Sequence, residues 1–453
     1  MNGGRKPLEG LTTALKDRLI QESLQRRLRE AAQAHAERSV ASADDATGEA
    51  DIPQSWYRFD QHPGYQQLRI LSDGAARLGI NNPYFRAHEE IADASTVIAG
   101  EAYLNYSSYN YLGLAGHPAV SAAAKAAIDR YGTSVSASRL VSGERPIHRD
   151  LEHALADLHG VDDAVTFVSG HATNVSTIAT LLGSKDLVMH DALIHNSVVI
   201  GIELSGATRI PFAHNDWRAL DRLLAEHRHR HQRVLVVIEG IYSMDGDFPD
   251  LPQFIEVKRR HHAFLMVDEA HSLGVLGDGG LGIQEHFGLD GRDVDIWMGT
   301  LSKSLASCGG YIAGERALIE HIKFAAPGFV YSVGMPPPMT AAALEALRLL
   351  RAEPRRARTL RARGRQFLDQ ARAAGIDTGL SAGLAIIPAI TQSSLKAARL
   401  AEALSRRRIN VQPIIHPAVA ERSARLRFFV SSEHTEEQIR STVEVLAQEW
   451  RRL

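Results

Sequence analysis

The sequence predicts an α/β fold in which a mostly parallel, seven-stranded sheet forms a large domain and a smaller α+β domain follows it. After Tyr103, seven short apolar runs follow one another, several of them without polar alternation, as is typical of strands buried on both faces. Segments with helical periodicity separate the runs, and this alternation indicates a parallel sheet covered by helices on both faces. Because ligands of such sheets bind beyond the carboxyl ends of the strands, functional residues are expected there.

The amino-terminal region is expected to begin with a helix. Between Leu8 and Arg38, leucines recur at roughly helical spacing among Arg, Glu and Gln, which predicts an amphipathic helix. The helix packs on its own protein in one interpretation and docks on a partner chain in the other. Residues 39–53 lack aromatic side chains and are rich in small and acidic ones, so they are interpreted as a linker.

The middle of the chain supplies the predicted sheet. Its seven strands are predicted at Ala164–Val168, Leu187–Met189, Arg209–Phe212, Val234–Ile238, Phe264–Val267, Val294–Met298 and Gly310–Ala313. Helices between them are predicted at His148–Leu158, Ala172–Leu182, Trp217–His227 and Leu251–Arg260. Three consecutive prolines, Pro336–Pro338, then end the alternation.

The carboxyl-terminal region is predicted to mix helices and strands. A helix is expected from Thr340 to Ala352, and the basic run Arg351–Arg365 is interpreted as a solvated helix face, with an anion site as the alternative. Strands are predicted at Ala385–Ile390, Ile409–Val411 and Arg425–Val430. A final helix over Glu433–Trp450 is opened by a Thr435-Glu-Glu cap.

The length of 453 residues suffices for two or three domains with ample cores. The predicted division is an amino-terminal helical extension with its linker over residues 1–52, an amino-terminal segment over 53–110, a large domain over 111–338 and a small carboxyl-terminal domain over 339–453.

Composition excludes several classes of function. The 51 basic residues nearly balance the 53 acidic ones, so charge gives no case for a nucleic-acid or membrane partner. The single cysteine, Cys308, rules out an internal disulfide framework and suits a reducing compartment. No signal peptide and no run of about 18 apolar residues is visible. We therefore expect a cytoplasmic protein.

Polar residues follow five of the predicted strands. Lys303 ends the stretch Gly299-Thr-Leu-Ser-Lys, and a lysine among groups that disfavour its charge can form a Schiff base with an aldehyde. Asp268 ends another strand and can hold a proton on a heteroaromatic nitrogen, while His271, three residues later, can bond polar substituents of the same ring. His195, in a cluster with His190 and Asp191, can lie flat on an aromatic ring.

The remaining two strand ends offer a hydroxyl and an anion site. Ser243 follows one strand, and the stretch from Ser169 to Asn174 follows another and opens a helix, whose free amides bind phosphate. The whole set matches pyridoxal phosphate, which needs amides for its phosphate, an acid for its ring nitrogen, a hydroxyl or imidazole for its phenolic oxygen and an amine for its aldehyde.

Two other interpretations of Asp268-Glu-Ala-His271 find little support. The same letters form a nucleotide-hydrolase box in helicases, but the Gly-x-x-x-x-Gly-Lys-Ser/Thr loop that would accompany it is not found in the sequence. A metal site would need one or two more ligands at matching spacing, and none stands out, so no metal is expected.

As a set, the motifs resemble the α-oxoamine synthases, which are pyridoxal-phosphate enzymes of fold type I. The matching motifs are Tyr109-Asn-Tyr-Leu-Gly-Leu, Gly132–Gly143, Ser169-Gly-His, Glu239-Gly-Ile-Tyr-Ser-Met-Asp-Gly-Asp, Asp268-Glu-Ala-His, Gly299-Thr-Leu-Ser-Lys and Ala424-Arg-Leu-Arg-Phe. The resemblance runs from about residue 80 to the end and leaves the first seventy or so residues outside it. Details of the motifs are similar to serine palmitoyltransferase-like and 8-amino-7-oxononanoate synthase-like members.

The resemblance implies a role for each site residue. Lys303 would bind the cofactor aldehyde, Asp268 the pyridinium nitrogen and His195 the face of the ring. Ser243 and His271 would lie near the phenolic oxygen. The phosphate would contact Gly170, His171, Thr300 and, from the neighbouring subunit of a homodimer, Ser332. Asn110 and Arg427 would bind the substrate carboxylate. Family members often carry an aromatic residue where this chain has His171.

The implied reaction is a decarboxylative condensation of a small L-amino acid with an acyl thioester, giving an α-amino ketone, carbon dioxide and a free thiol. Ser107-Ser-Tyr-Asn-Tyr and the pair Ser138-Arg139 resemble the serine palmitoyltransferase-like members more than the members that use glycine, and this resemblance favours alanine or serine over glycine. The acyl donor is either a coenzyme A ester or an acyl carrier protein. Two alternatives stay open: another fold-type I enzyme such as an aminotransferase, and a non-catalytic subunit, against which the presence of Lys303 argues.

Overall fold

The structure is a computed structural model that describes residues 52–77, 79 and 81–453. The predicted amphipathic helix over residues 8–38 and nearly all of the predicted linker lie outside these residues. The strands are β1 Ser95–Ile98, β2 Glu101–Asn105, β3 Asp163–Phe167, β4 Leu187–Asp191, β5 Thr208–Phe212, β6 Val234–Glu239, β7 Phe264–Asp268, β8 Ile296–Thr300, β9 Gly310–Gly314, β10 Ile386–Ile390, β11 Ile409–Asn410, β12 Gln412–Ile414 and β13 Arg425–Phe429.

Seven strands form the large sheet, in the order β3-β9-β8-β7-β6-β4-β5. Strand β9 runs antiparallel to both of its neighbours, and all other neighbouring strands are parallel. Each of the seven predicted strands is present, with bounds shifted by at most two residues. The expectation of a mostly parallel, seven-stranded sheet is therefore confirmed.

Helices cover both faces of this sheet. The helices are Pro63–Arg77, Pro118–Tyr131, Pro146–His159, Gly170–Leu181, Asn196–Ser205, Trp217–His227, Leu251–Arg260, Ile283–Phe287, Arg316–Ala325, Pro327–Val330, Pro337–Ala352, Arg355–Ala373, Ser394–Arg406 and Glu436–Trp450. The two helices whose ends were predicted most closely, Trp217–His227 and Leu251–Arg260, have the expected bounds.

Alternate side chains of the central strands enter two separate cores, which explains why these strands lack polar alternation. Leu235 and Val237 of β6 join the core beneath the helices that follow β3 and β4. Val236 and Ile238 of the same strand join the core beneath the helices that follow β5 and β6. Each of these side chains is buried, and each burial contributes about 1.5–3 kcal/mol. A sheet buried in this way exposes polar groups only at the ends of its strands.

The smaller α+β region contains a second sheet and part of a third. Strands β10, β13 and β12 pair antiparallel with β13 in the centre. Strand β11, which was expected as part of the same region, instead pairs parallel with β2. The buried side chains of Asn410 and Asn105 join there by a hydrogen bond of 2.9 Å. Because residues far apart in sequence share this sheet, the predicted boundaries at 110/111 and 338/339 stay predictions.

Two local expectations need correction. The helix expected from Thr340 begins at Pro337, because proline has no amide hydrogen to leave unpaired in the first helical turn. The basic run Arg351–Arg365 is not a uniformly solvated face. Arg356 donates to the carbonyl of Leu112 and pairs with Glu433, and Arg361 donates to the carbonyl oxygens of residues 275 and 277.

No helix in the described part of the chain is both long and apolar enough to cross a membrane. The expected cytoplasmic location stays a prediction.

Candidate active site

The carboxyl ends of β6, β7 and β8 bring polar side chains next to one another. Strand β7 ends at Asp268, its register partner on β6 is Glu239, and β8 ends at Thr300. Lys303 lies in the turn between β8 and β9, which is closed by a hydrogen bond from the Leu301 amide to the Gly309 carbonyl. The parallel sheet therefore brings the predicted lysine, aspartate and hydroxyl to one edge.

Lys303 is half-buried at one wall of a cavity of about 500 Å³. Ser107, Ser108 and Asn110 line the same cavity, and the Lys303 Nζ lies 5.5 Å from the centre of the Tyr109 ring. Desolvation lowers the pKa of Lys303 to about 8, although the carboxylates of Asp268 and Glu239 oppose this change. Near neutral pH a useful fraction of the amine is therefore uncharged and nucleophilic.

The Asp268 carboxylate is buried and accepts two hydrogen bonds. Its Oδ2 accepts from the side-chain amide of Asn174 at 2.9 Å, and its Oδ1 accepts from the backbone N–H of Ala270 at 2.9 Å. The neighbouring carboxyl of Glu239 is also buried, and desolvation together with the nearby charge of Asp268 raises its pKa well above the ordinary value. The Glu239 carboxyl is therefore neutral at physiological pH.

The two predicted histidines, His195 and His271, each have a hydroxyl group within hydrogen-bond distance of Nδ1. The Nδ1 of His271 is 2.8 Å from the hydroxyl of Tyr111, and the Nδ1 of His195 is 2.7 Å from the hydroxyl of Ser197. Desolvation and the positive charge of Lys303 lower the pKa of His271 well below its usual range. Desolvation also lowers the pKa of His195, against an opposing effect of Asp268. Both imidazoles are therefore neutral at physiological pH.

A tight backbone crossing lies at the predicted anion site. The helix Gly170–Leu181 begins beside Thr300, and a Cβ added to Gly170 would lie 2.9 Å from the Thr300 Oγ1. A Cβ on Gly310 would lie 2.7 Å from the Gly170 Cα. The amides of Gly170 and His171 belong to the first helical turn, where N–H groups have no partner within the helix. The crossing has no room for a side chain on Gly170, and unpaired amides at a helix start can bind an anion.

The predicted carboxylate site has donors without partners. The Arg427 Nη1 donates to the Ser243 carbonyl at 2.8 Å, while its Nε is buried and has no partner among the described residues. Asn110 accepts from the Ala115 amide at 3.2 Å, and its side-chain Nδ2 is likewise buried without a partner in that part of the chain. Buried donors of this kind call for an acceptor, and a carboxylate supplies two.

Ser332 lies apart from these groups. It follows the short helix Pro327–Val330 and makes no hydrogen bond to another candidate residue in the described chain. Its neighbours Tyr331 and Val333 are exposed, Tyr331 by 85%. The structure of one chain therefore leaves the role of Ser332 a prediction.

Asp191 and Arg139, both singled out in the sequence, belong to structural ion networks. Asp191 Oδ1 lies 2.8 Å from His214 Nδ1, and the other ring nitrogen of His214 lies 2.8 Å from Asp247 Oδ2. Desolvation is outweighed by these two hydrogen bonds, which raise the pKa of His214 to about 10. Arg139 is buried and pairs with Glu144 and Glu152. Arg139 is therefore fully engaged in ion pairs.

Sequence reasoning missed four residues of the site: Tyr111, Asn174, Ser197 and Glu239. Tyr111 and Glu239 lie inside matched motifs without an assigned role, Asn174 ends the stretch that begins at Ser169, and Ser197 follows His195 by two positions. Their proximity in sequence to assigned residues was the only signal available. Burial, which makes their hydrogen bonds strong, is visible only in the structure.

Comparisons with known proteins agree with this geometry. Residues 101–446 match the family described as aminotransferase class I and II. The chain is 38% identical to 8-amino-7-oxononanoate synthase from Fervidobacterium nodosum over 82% of its length and 95% of that protein. It is 41% identical to 8-amino-7-oxononanoate synthase from Cellvibrio japonicus over 78% of its length and 88% of that protein.

Solved structures of related enzymes also resemble this chain over most of its length. A serine palmitoyltransferase variant from S. paucimobilis with a bound PLP–myriocin aldimine is 29% identical and superposes with a TM-score of 0.81. The match covers 86% of this chain and 98% of that one. The expected fold class is therefore confirmed.

Proposed function

The chain belongs to the aminotransferase class I and II family and, within it, to the α-oxoamine synthases, and from this we propose that it is a pyridoxal 5′-phosphate enzyme that joins a small L-amino acid to an acyl thioester. The products are an α-amino ketone, carbon dioxide and the free thiol. The observation that carries the proposal is the meeting of Lys303, Asp268 and the Gly170–Thr300 crossing at one edge of the sheet.

The residues present fit pyridoxal phosphate. A Cβ on Gly170 would lie against the Thr300 side chain, so the close approach of the helix start to the Thr300 hydroxyl depends on glycine at this position. The amides of Gly170 and His171 and the Thr300 hydroxyl would hold the cofactor phosphate. Asp268 is buried at the end of β7, and its carboxylate would hold a proton on the ring nitrogen. His271 and Ser243 would hold the phenolic oxygen, and His195 would lie on the ring face. Lys303 would hold the aldehyde.

When bound, the cofactor supplies an electron-withdrawing ring that stabilises the carbanion left when a bond to the amino-acid α-carbon breaks. The chain supplies the proton transfers and the orientation. Lys303 removes the α-proton, because its lowered pKa makes a neutral amine available near neutral pH. Arg427 and Asn110 bind the amino-acid carboxylate with the donors that lack partners. His195 orients the carboxylate or the acyl carbonyl.

Alanine or serine is the proposed amino acid. Ser107 and Ser108 line the cavity beside Lys303, which supports the part of the argument that rests on Ser107-Ser-Tyr-Asn-Tyr. Arg139 lends no support, since its guanidinium is paired with Glu144 and Glu152. The relatives' name denotes a product with amino and oxo groups on adjacent carbons and one methyl carbon beyond the amino carbon. Alanine would provide that methyl group. The acyl donor is a coenzyme A ester or an acyl carrier protein.

A homodimer with shared sites is part of the proposal. Tyr331 is 85% exposed beside Ser332, and Val141 and Phe324 are 81% and 73% exposed. Large exposed apolar side chains of this kind favour a covered interface. Ser332 would then contact the phosphate held by the partner chain. Equilibrium sedimentation of the full chain tests this part, and a monomer at micromolar concentration would contradict it.

The central experiment is a screen of amino acids against acyl thioesters. Thiol release and carbon dioxide are measured together, with Lys303→Ala as the inactive control. One thiol and one carbon dioxide per amino ketone support the proposal. Formation of a keto acid without thiol release would indicate an aminotransferase, and no turnover despite bound cofactor would indicate a non-catalytic subunit.

A further inference from the structure

A chain of hydrogen bonds joins the His195 imidazole to the Asp268 carboxylate. The Asn174 Nδ2 lies 2.9 Å from Asp268 Oδ2 and 3.0 Å from Ser197 Oγ. The same Ser197 Oγ lies 2.7 Å from His195 Nδ1. Asn174, Ser197 and Asp268 are each at most 4% exposed, so water does not compete for these bonds. Neither Asn174 nor Ser197 has a role in the function proposed above.

The direction of every hydrogen bond in this chain is determined by its ends. A carboxylate only accepts, so Asn174 must turn its NH₂ group toward Asp268. The second hydrogen of that group then points to Ser197 Oγ, which leaves the serine hydrogen for His195 Nδ1. The Ser197 backbone N–H also approaches Nδ1, at 3.3 Å, and a backbone N–H cannot accept. The Nδ1 of His195 is therefore an acceptor, and the ring hydrogen is on Nε2.

Protonation of His195 would disrupt the chain at Ser197. A hydrogen on Nδ1 would face the Ser197 amide and the Ser197 hydroxyl, and that hydroxyl would have to turn its hydrogen elsewhere. Its other neighbour, Asn174, presents only hydrogens on that side. Reversing the Asn174 amide would place its oxygen against the Asp268 carboxylate. Two buried hydrogen bonds would be lost for each proton gained.

We propose that Asn174 and Ser197 are positioning residues that hold His195 as the neutral imidazole with its hydrogen on Nε2. This inference deepens the function proposed above, in which His195 meets the cofactor ring and the substrate. It gives His195 a fixed N–H donor for an acyl or carboxylate oxygen, and it ties the orientation of that donor to the carboxylate that would hold the ring nitrogen. The buried side-chain amide of Asn174 thus links the orientation of His195 to that of Asp268.

The charged and titratable groups around His195 act in different directions. Asp268 favours the imidazolium, whereas Lys303, His171 and Arg427 disfavour it, and burial disfavours it further. The variants of Ser197, Asn174 and Ser205 described below keep all four of these groups. A change in the titration of His195 in those variants therefore reports on the hydrogen-bond chain itself.

The test is nuclear magnetic resonance of histidine-¹⁵N-labelled, cofactor-free protein, in which His195→Gln identifies the His195 signals. The wild-type protein is expected to show an unprotonated Nδ1, a protonated Nε2 and a titration midpoint below the ordinary value of about 6.5. Ser197→Ala removes the hydroxyl that donates to Nδ1, and Asn174→Ala removes the amide that directs this hydroxyl toward Nδ1. In both variants the titration midpoint of His195 should therefore rise by at least about half a pH unit. Ser197→Thr keeps the hydroxyl and should restore the wild-type midpoint.

Ser205→Ala is the matched control, because Ser205 is in the same helix and its hydroxyl bonds only nearby backbone groups. It should leave the His195 midpoint unchanged. In the turnover assay, Ser197→Ala should lower kcat by about tenfold, the size of effect expected when a buried hydrogen bond that orients an imidazole is lost.

A hydrogen on Nδ1 in the wild-type protein would overturn the inference, and so would an unchanged midpoint in both alanine variants. The wild-type measurement needs no variant to fold. The magnetic resonance experiment uses protein without cofactor, so its result does not depend on turnover. The hydrogen-bond inference can therefore hold even if the turnover screen contradicts the proposed function, and it can fail even if the screen supports that function.

Discussion

The phenolic hydroxyl of Tyr111 lies 2.8 Å from Nδ1 of His271, and both side chains are buried. No other hydrogen-bond partner of this hydroxyl occurs in the described chain, and a buried hydroxyl that only accepted would leave its hydrogen unpaired. Tyr111 is therefore the donor, and His271 presents an Nε2–H group. His195 and His271 thus both present an Nε2–H donor, although Ser197 bonds Nδ1 of the first and Tyr111 bonds Nδ1 of the second.

Tyr111→Phe should weaken binding of pyridoxal phosphate about fivefold, because one buried hydrogen bond contributes about 1 kcal/mol to holding His271 in place. The dissociation constant is measured by absorbance titration of cofactor-free protein. Tyr106→Phe is the matched control, since Tyr106 is equally buried but bonds Thr442 at 3.0 Å. Equal losses of cofactor affinity in both variants would contradict the role of Tyr111.

Covalent attachment of pyridoxal phosphate should depend on the neutral form of Lys303. With a pKa of about 8, the neutral fraction falls about tenfold for each pH unit below 8 and levels off above it. The attachment rate is followed by borohydride trapping and mass spectrometry between pH 6 and 10. Lys258→Ala, which removes a lysine paired with Asp295, should leave the profile unchanged. A midpoint near 10 would show that Lys303 is not desolvated.

Glu239 and Asp268 should respond differently to loss of their acidity. The pKa of Glu239 is raised well above its ordinary value, so Glu239→Gln replaces one neutral side chain by another and should change kcat/KM by no more than about twofold. Asp268→Asn removes the anion and should lower kcat by about a hundredfold or more. Steady-state kinetics at pH 7.5 compare the two. Similar losses in both variants would mean that Glu239 is also ionised.

Gly170→Ala should abolish tight binding of the cofactor phosphate. The new Cβ would lie 2.9 Å from Thr300 Oγ1 and would displace the hydroxyl proposed to hold the phosphate, so a loss of at least about tenfold in affinity is expected. Gly183→Ala is the control beyond the end of the same helix, where a Cβ meets no atom within 4 Å. Competition of inorganic phosphate with pyridoxal phosphate measures the effect. Unchanged competition in Gly170→Ala would place the anion elsewhere.

His214 should stabilise the fold in a pH-dependent way. Its pKa rises from 6.5 to about 10 on folding, so the stabilisation is complete below pH 6.5 and is lost as the pH rises through 10. His214→Gln should therefore lower the free energy of unfolding by about 2–4 kcal/mol at pH 6 and by much less at pH 10. Urea unfolding at the two pH values gives the comparison, with His229→Gln at an exposed turn as control. A pH-independent difference would argue against an imidazolium between Asp191 and Asp247.

The sheet was predictable because local patterns determine it, whereas the roles of the assigned site residues followed from the family resemblance and stay predictions. Strands buried on both faces read as apolar runs, and a polar residue after such a run lies at the sheet edge. The bonds of Asn174 and Tyr111 were not predictable, since each depends on a partner 94 or 160 positions away. The pairing of β11 with β2 also depends on residues far apart in sequence. A strand of two residues has no periodicity from which its neighbour in the sheet could be predicted.

The antiparallel course of β9 limits how Lys303 can act. The turn that carries the lysine is anchored at both ends within one sheet, by β8 before it and β9 after it, and is closed by bonds between Leu301 and both Gly309 and Ser307. These contacts restrain the backbone of the turn, so the reach of Lys303 comes mainly from the four-carbon stem of its side chain. In the proposed function, a reacting carbon would therefore have to come within one side-chain length of this turn.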